Sequence, residues 1–195
     1  MNDAPVQDAS PSARPEMTAS QAPVAGEDRF GSLLLPRYRA AVIPEWSDRN
    51  KHLNNAYYLI AVQGAYLGAL KLWRGEAEQE RSSTGNFTMQ SLVTHLRELR
   101  LGAPLLIIPR LIGVDEKRAH VLIELYNEDE GYLGAVIEKT SINVTRGQPP
   151  VVSRFSDDVR RRLQDVLTSH TGLPLPSGVA PSLALNPRRR SDEAA

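Results

Sequence analysis

The sequence predicts one α+β domain, made of a strand, a long helix, four further strands and a terminal helix. Apolar residues recur at three- and four-residue steps over 56–73, which is the period of a helix that packs on one face. Four later segments are rich in apolar and β-branched residues and are separated by short polar breaks, as strands joined by hairpins are. The length of 195 residues suits a single domain with tails.

Both ends of the chain are predicted to be disordered tails. Residues 1–29 are rich in Ala, Pro, Ser, Asp and Gln and have almost no large apolar side chain, so they cannot bury enough surface to offset the entropy of ordering. Residues 171–195 contain several prolines and then a run of arginines, and we expect the same of them. The folded domain is therefore expected to cover residues 30–170.

The individual elements follow from the local pattern. The first strand is predicted over 32–43, with Pro36 indicating an edge position or a late start. Asn54 or Asn55 is a suitable N-cap for the helix, and Gly64 and Gly68 would let a sheet approach that helix closely. The later strands are predicted over 86–99, 105–115, 118–127 and 131–144, and an amphipathic helix over 155–168 with Ser156 or Asp157 as its cap.

The composition excludes several classes of function. Lys and Arg together number 23, as do Asp and Glu, so the charge balance favours neither nucleic acid nor an acidic membrane surface as a partner. The chain has no cysteine, which excludes disulfides and thiolate sites. It has no apolar run of the roughly 18 to 20 residues that cross a bilayer and no secretory leader pattern, so a cytoplasmic location is expected.

Residues 45–58 contain the strongest functional signal. Asp48 lies in a polar turn beside His52, Asn54 and Asn55, and the helical pattern starts directly afterwards. N–H groups at the start of a helix can polarise a carbonyl oxygen, while a carboxylate can attack the carbonyl or activate water. The turn therefore suits acyl chemistry, although Asp48 could also serve only to hold the turn. The four histidines, at 52, 95, 120 and 170, share no metal-binding spacing, and no metal site is expected.

The stretch from Asp48 to Tyr58 resembles the signature of hotdog-fold acyl-CoA thioesterases of the 4-hydroxybenzoyl-CoA thioesterase type. That signature reads aspartate, two variable residues, glycine, histidine, an apolar residue, two asparagines, a small residue, any residue and tyrosine. The chain agrees at every defined position except Lys51, which replaces the glycine. Residues 44–46 and 94–102 are similar to a subgroup that is often joined to carnitine dehydrogenases.

The resemblance implies a single hotdog domain, in which a curved antiparallel sheet wraps around one long central helix. It also implies hydrolysis of a small or medium acyl-CoA thioester, with Asp48 as nucleophile or general base and His52 and Asn55 as positioning groups. CoA would enter only as part of the substrate, with no separate cofactor. The partner would be a second copy of the chain, in a homodimer or a tetramer. Substrate contacts are expected from Trp46, Asn54, Tyr58, His95 and Glu98.

Several alternatives stay open at this stage. The chain could be a hotdog enoyl-CoA hydratase or, because lysine adopts the glycine conformation only at a cost, a non-catalytic acyl-CoA binder. Glu98 could form an ion pair with Arg97 or Arg100 on a strand instead of contacting substrate. Trp46, Tyr57, Tyr58 and Trp73 are expected to pack in the core or an interface, with an aromatic cage as the alternative. The phosphates of CoA could be bound by Arg110 or Lys117, or by Arg154, Arg160, Arg161 and Arg162.

Overall fold

A computed structural model describes residues 35–75 and 83–185 of the chain. The predicted order of elements is confirmed: one strand, a helical region, four long strands and a final helix. The elements are β1 (Tyr38–Ala41), α1 (Tyr58–Ala61), α2 (Gln63–Arg74), β2 (Thr84–His95), β3 (Pro104–Val114), β4 (Arg118–Asn127), β5 (Tyr132–Thr145), β6 (Val151–Val152) and α3 (Asp157–Thr171). Single 3-10 turns are formed by Pro44–Trp46 and Asn55–Tyr57.

The strands form one antiparallel sheet in the order β1-β3-β4-β5-β2, with the short β6 paired to β5. The curled sheet and the helical region over 55–74 together confirm the predicted hotdog fold. The strand β1 lies at one edge and begins only at Tyr38, so both expectations drawn from Pro36 hold. The opposite edge of the sheet is β2.

The central helix is less regular than its apolar period predicts. Instead of one continuous helix over 56–73, the chain forms the 3-10 turn at Asn55–Tyr57, then α1, an interruption at Val62 and then α2. Val62 is β-branched and Gly64 follows closely, and both residue types have low helix propensity. Packing decides the local geometry here, because Val62 is completely buried in the core. The Asn54 cap is confirmed, since its Oδ1 accepts the Ala56 N–H at 3.0 Å.

Close approach between the central helix and the sheet depends on Gly68. A Cβ atom placed there would lie 2.8 Å from both Cε1 and Oη of Tyr38, which belongs to β1. No side chain larger than hydrogen fits at that separation without movement. Gly68 therefore allows the close approach between helix and sheet that the sequence predicts, and α2 packs directly on the edge strand β1.

The outer face of the sheet is covered by the chain that follows α3. This segment, residues 172–185, belongs to the tail that the sequence predicts to be disordered, but it makes specific contacts with the sheet. Arg110 donates to the carbonyl oxygen of Leu173 at 3.0 Å, and the Glu138 carboxylate accepts the Leu183 N–H at 2.8 Å. Backbone groups of the segment thereby form hydrogen bonds with buried polar side chains of the sheet. The proline-rich composition of the segment does not predict these contacts. The predicted tails 1–29 and 186–195 lie outside the described residues.

Candidate active site

The loop between Ser47 and Leu53 folds back on itself like a small hairpin. Ser47 and Leu53 form an isolated antiparallel bridge, and inside it the Asp48 N–H donates to the His52 carbonyl oxygen at 2.9 Å. The Lys51 N–H donates to the Asp48 carbonyl oxygen at 3.0 Å, which closes a tight turn. The loop thus brings Asp48 and His52 opposite each other immediately before the helical region.

The Asp48 carboxylate is held by the backbone of its own turn. Its Oδ1 accepts the N–H groups of Asn50 at 2.8 Å and His52 at 3.1 Å. The N–H of His52, followed by that of Asn50, lowers the pKa of Asp48 below its ordinary value, although partial desolvation opposes this. Asp48 therefore holds the turn, as the alternative interpretation expected, and also presents an ionised oxygen.

Lys51 adopts the conformation for which the family signature uses glycine. Its φ is +60°, and it is the one non-glycine residue with positive φ in the described ranges. The carbonyl oxygen of Lys51 accepts the Leu101 N–H at 2.8 Å, and the neighbouring Leu53 N–H donates to the Leu99 carbonyl oxygen at 2.7 Å. The substitution therefore leaves the turn intact and puts an exposed ammonium group at its tip.

His52 and Glu98 approach each other across this loop pairing. His52 Nε2 lies 3.5 Å from Glu98 Oε2, and Arg100 Nη2 donates to Glu98 Oε1 at 3.0 Å. The pKa of Glu98 is lowered by the hydrogen bond from Arg100 and, to a smaller extent, by His52. Glu98 therefore joins the predicted site and also makes the ion pair with Arg100 that was considered as its alternative.

The placement of Glu98 on a strand is wrong. The strand β2 ends at His95, because the next two N–H groups, those of Leu96 and Arg97, both donate to the Gly134 carbonyl oxygen and leave the register. Leu99 then turns inward and is completely buried beside the loop that contains Asp48. The burial of a single leucine, which strand periodicity does not reveal, moves Glu98 off the sheet and towards His52.

Tyr58 and His95 are brought together although 37 positions separate them in sequence. Their rings meet edge to face, with centroids 4.5 Å apart and planes at 84°. Tyr58 is buried at the start of α1, and burial raises its pKa, whereas His95 is exposed at the end of β2. The pair joins the helical region to the edge strand next to the loop that carries Asp48.

The remaining predicted residues divide between packing and exposure. Trp46 is buried in the main core, where it packs with Trp73 and Tyr58, and Trp73 also meets His170 at a centroid distance of 5.7 Å. These aromatic residues pack as expected and do not form a cage. Asn55 is exposed at the first position of the 3-10 turn.

One of the cations considered for the phosphates of CoA, Arg110, lies away from the Asp48 loop. Arg110 is buried on the outer face of the sheet, where it binds Glu124 at 3.0 Å and the carbonyl oxygens of Leu173 and Pro174. It cannot also bind an exposed phosphate, so that prediction is wrong. Arg49 and Lys51 are exposed cations of the Asp48 loop itself, and Arg100 is exposed on the segment that pairs with it. Their proximity depends on the pairing of residues 51–53 with 99–101, which single-sequence patterns do not show.

Neither a metal nor a membrane span is indicated in the part of the chain that the structure describes. No group of three or more His, Cys, Asp or Glu side chains is arranged to hold a metal ion there. None of the helices in residues 35–75 and 83–185 is long and apolar enough to cross a membrane.

Comparison with known proteins places the chain in a family. Residues 42–163 match the model of the thioesterase-like superfamily. A betainyl-CoA thioesterase from Pseudomonas aeruginosa is 32% identical over 160 residues, which are 81% of this chain and 99% of that protein. An L-carnitine dehydrogenase/betainyl-CoA thioesterase from Agrobacterium fabrum is 30% identical over 142 residues, and this chain spans only 29% of its length.

The fold is also similar to solved structures. A hypothetical protein from Staphylococcus aureus, determined in complex with CoA, superposes with a TM-score of 0.66 at 21% identity and covers 77% of this chain and 96% of its own. The predicted resemblance to hotdog thioesterases and to the carnitine-linked group is thus confirmed. The chain belongs to the thioesterase-like superfamily and is a thioester hydrolase.

Proposed function

We propose that the protein hydrolyses a small or medium acyl-CoA thioester, with the Asp48 carboxylate as nucleophile or general base. The observation that carries the proposal is the way in which the turn holds this carboxylate directly before the helical region. Two backbone N–H groups donate to its Oδ1, and hydrogen bonds from His52 and Asn50 lower the pKa of Asp48. A fixed, ionised oxygen at the surface is suited to attack a carbonyl carbon or to take a proton from water.

The carbonyl oxygen of the thioester requires a donor nearby. The Ala56 and Tyr57 N–H groups are already used, since they donate to Asn54 Oδ1 at 3.0 Å and to the Asn54 carbonyl oxygen at 2.8 Å. The Asn55 N–H has no partner in the described ranges, so we assign the oxyanion donor to Asn55 rather than to Ala56. Loss of one such donor costs about 3 kcal/mol of transition-state stabilisation.

The remaining site residues would position the substrate. His52 and Glu98 form one wall beside Asp48, and the Tyr58–His95 ring pair forms another. Trp46 supports the loop from the core, and Asn54 fixes the start of the helical region. CoA takes part only as a portion of the substrate, and no further cofactor is proposed.

A second copy of the chain would complete the cleft. The strand β2 has 12 residues, lies at a sheet edge and exposes the apolar side chains of Phe87 and Met89. An exposed apolar edge is a template for pairing with another chain. We therefore propose a homodimer that pairs β2 with its copy across a two-fold axis, and sedimentation of the wild type against Phe87→Asp/Met89→Asp measures it. A monomeric wild type would contradict this proposal.

The main experiment follows free-thiol release from a panel of acyl-CoA esters, betainyl-CoA among them because the two curated relatives carry that name. The wild type should release thiol, and Asp48→Asn should lose at least a hundredfold in kcat. A burst of thiol that precedes the free acid would assign the nucleophilic role, whereas simultaneous release would favour the general base. Undiminished hydrolysis by Asp48→Asn would remove Asp48 from the mechanism.

The same purified protein can be tested for two other functions, those of a hydratase and of a non-catalytic binder. A hydratase would change the absorbance of an enoyl-CoA without releasing thiol. A non-catalytic binder would bind intact esters in a calorimeter without turnover. The cytoplasmic location stays part of the proposal, and fractionation of cells that express the chain tests it.

A further inference from the structure

Lys139 is a buried cation between the central helix and the inner face of the sheet. It lies on β5, its side chain is on the helix side of the sheet, and only 5% of the residue is exposed. Its Nζ donates to Gln63 Oε1 at 3.1 Å and lies 4.2 Å from the centre of the Tyr66 ring. Both contacts are with α2, so the ammonium group is held at the flank of the helix.

No carboxylate neutralises this ammonium group within the described residues. The nearest acid in sequence, Glu138, points to the opposite face of the sheet, where it meets His120 at 3.2 Å and the N–H groups of residues 182 and 183. The other groups on the helix side of Lys139 are the Tyr66 hydroxyl and, beyond it, Arg74. Burial lowers the pKa of Lys139 accordingly. A buried charge is ordinarily paired, and one without an anion is a candidate for ligand binding.

The register of the sheet places Lys139 in line with the proposed active site. On the inner face of β5, Ala135 lies opposite His95, and Lys139 lies opposite Ser91 of the exposed edge strand. Four residues of strand separate these two levels by about 13 Å. Along the helical region, Asn55 and Gln63 are separated by about 12 Å. Lys139 therefore lies beyond the Tyr58–His95 pair, on the side that is far from Asp48.

This position suits the far end of an acyl chain. With the thioester carbonyl at Asp48, the bulky CoA portion must leave towards solvent on the loop side. The acyl chain would then extend along the helix towards Gln63. We propose that Lys139 binds a carboxylate at the end of the acyl chain, so that the enzyme selects anionic acyl-CoA esters, an inference that rests on the acyl-CoA hydrolysis proposed above.

The first test compares matched substrates. Octanedioyl-CoA and octanoyl-CoA have the same acyl length and differ by a terminal carboxylate, and an extended eight-carbon chain is long enough to reach from Asp48 towards Lys139. The wild type should favour octanedioyl-CoA over octanoyl-CoA. In Lys139→Met the octanedioyl-to-octanoyl ratio of kcat/KM should fall by roughly tenfold to a hundredfold, the effect of losing one charge-assisted hydrogen bond. Equal kcat/KM for this pair in the wild type would overturn the proposal.

A second variant guards against a folding defect in Lys139→Met. Gln63→Glu replaces the amide oxygen that accepts from Lys139 with a carboxylate. This carboxylate would bind the ammonium group of Lys139 in place of the substrate carboxylate. The preference for octanedioyl-CoA should fall in this variant too, while circular dichroism and thermal unfolding report an intact fold. An unchanged ratio in a folded variant of either kind contradicts the assignment. So does a change in dimer dissociation alone, which would mean that a partner carboxylate neutralises Lys139.

A binding measurement separates this inference from the proposed function. Calorimetry on Asp48→Asn, with and without Lys139→Met, gives Kd for intact octanedioyl-CoA and octanoyl-CoA without relying on turnover. Selective binding without hydrolysis by the wild type would refute the thioesterase proposal and support Lys139. Hydrolysis by the wild type, together with a ratio of the two Kd values that Lys139→Met leaves unchanged, would support the thioesterase proposal and refute the role of Lys139.

Discussion

Asp48 and His52 are joined through the backbone and not through their side chains. Asp48 Oδ1 accepts the N–H of His52 at 3.1 Å, whereas the His52 imidazole turns to Glu98, 3.5 Å away. The carboxylate is therefore positioned by main-chain atoms that any residue at 52 would supply. The imidazole acts on the loop and on Glu98 without directly bonding the proposed catalytic oxygen.

This geometry predicts unequal effects of two substitutions on kcat. His52→Gln keeps the N–H that holds Asp48 and should lower kcat by about tenfold or less, while Asp48→Asn should lower it by at least a hundredfold. Steady-state thiol release from one acyl-CoA ester measures both variants. Equal losses would show that the imidazole works as a unit with the carboxylate.

The pH dependence of hydrolysis should follow the lowered pKa of Asp48. A carboxyl group whose pKa is depressed in the folded protein stays ionised to lower pH and loses its charge only as the pH falls through that value. The ordinary aspartate pKa is about 3.9, so the contribution of Asp48 to kcat/KM should stay flat from about pH 8 down to about pH 5. The profile is measured on the wild type and on His52→Gln. An acid limb near pH 6 that persists in His52→Gln would contradict the assignment.

Lys51→Gly should stabilise the protein. Lysine at φ +60° carries a backbone penalty that glycine lacks, and the difference is about 1 kcal/mol in the free energy of unfolding. Chemical denaturation measures it. Lys51→Ala is the matched control, because it removes the charge and keeps the Cβ in the left-handed region. A gain in Lys51→Ala equal to that in Lys51→Gly would mean that charge, not conformation, sets the cost.

Gly68→Ala should destabilise the fold by about 1 to 3 kcal/mol. The added Cβ would lie 2.8 Å from the Tyr38 ring, so either α2 or β1 must move. Gly172→Ala is the control, since no atom lies within 4 Å of a Cβ at that position. Thermal unfolding of both variants is the measurement. A neutral Gly68→Ala would mean that the separation between helix and strand adjusts freely.

The elements were predictable where local pattern and burial agree. The strand β4 runs from Arg118 to Asn127, as its apolar residues and the polar breaks on either side predict, and Ser156 caps α3 by accepting the Val159 N–H. The sequence pattern did not predict the local structure where tertiary contacts determine the conformation of the chain. Val62 interrupts the central helix because it is drawn into the core, and residues 172–185 lie on the sheet because buried Arg110 and Glu138 bind their backbone.

The sequence by itself determined the family and the chemistry of the loop, because Asp48 to Tyr58 are consecutive and their turn is a local structure. Even the left-handed φ of Lys51 was implicit in the glycine that it replaces. Only the tertiary structure decided which side chains meet across the site. The contacts of His52 with Glu98, Tyr58 with His95 and Lys139 with Gln63 depend on strand register and on where the helix rests. Both are set by the burial of side chains far apart in the chain, such as Leu99 and Val62, which no local pattern contains.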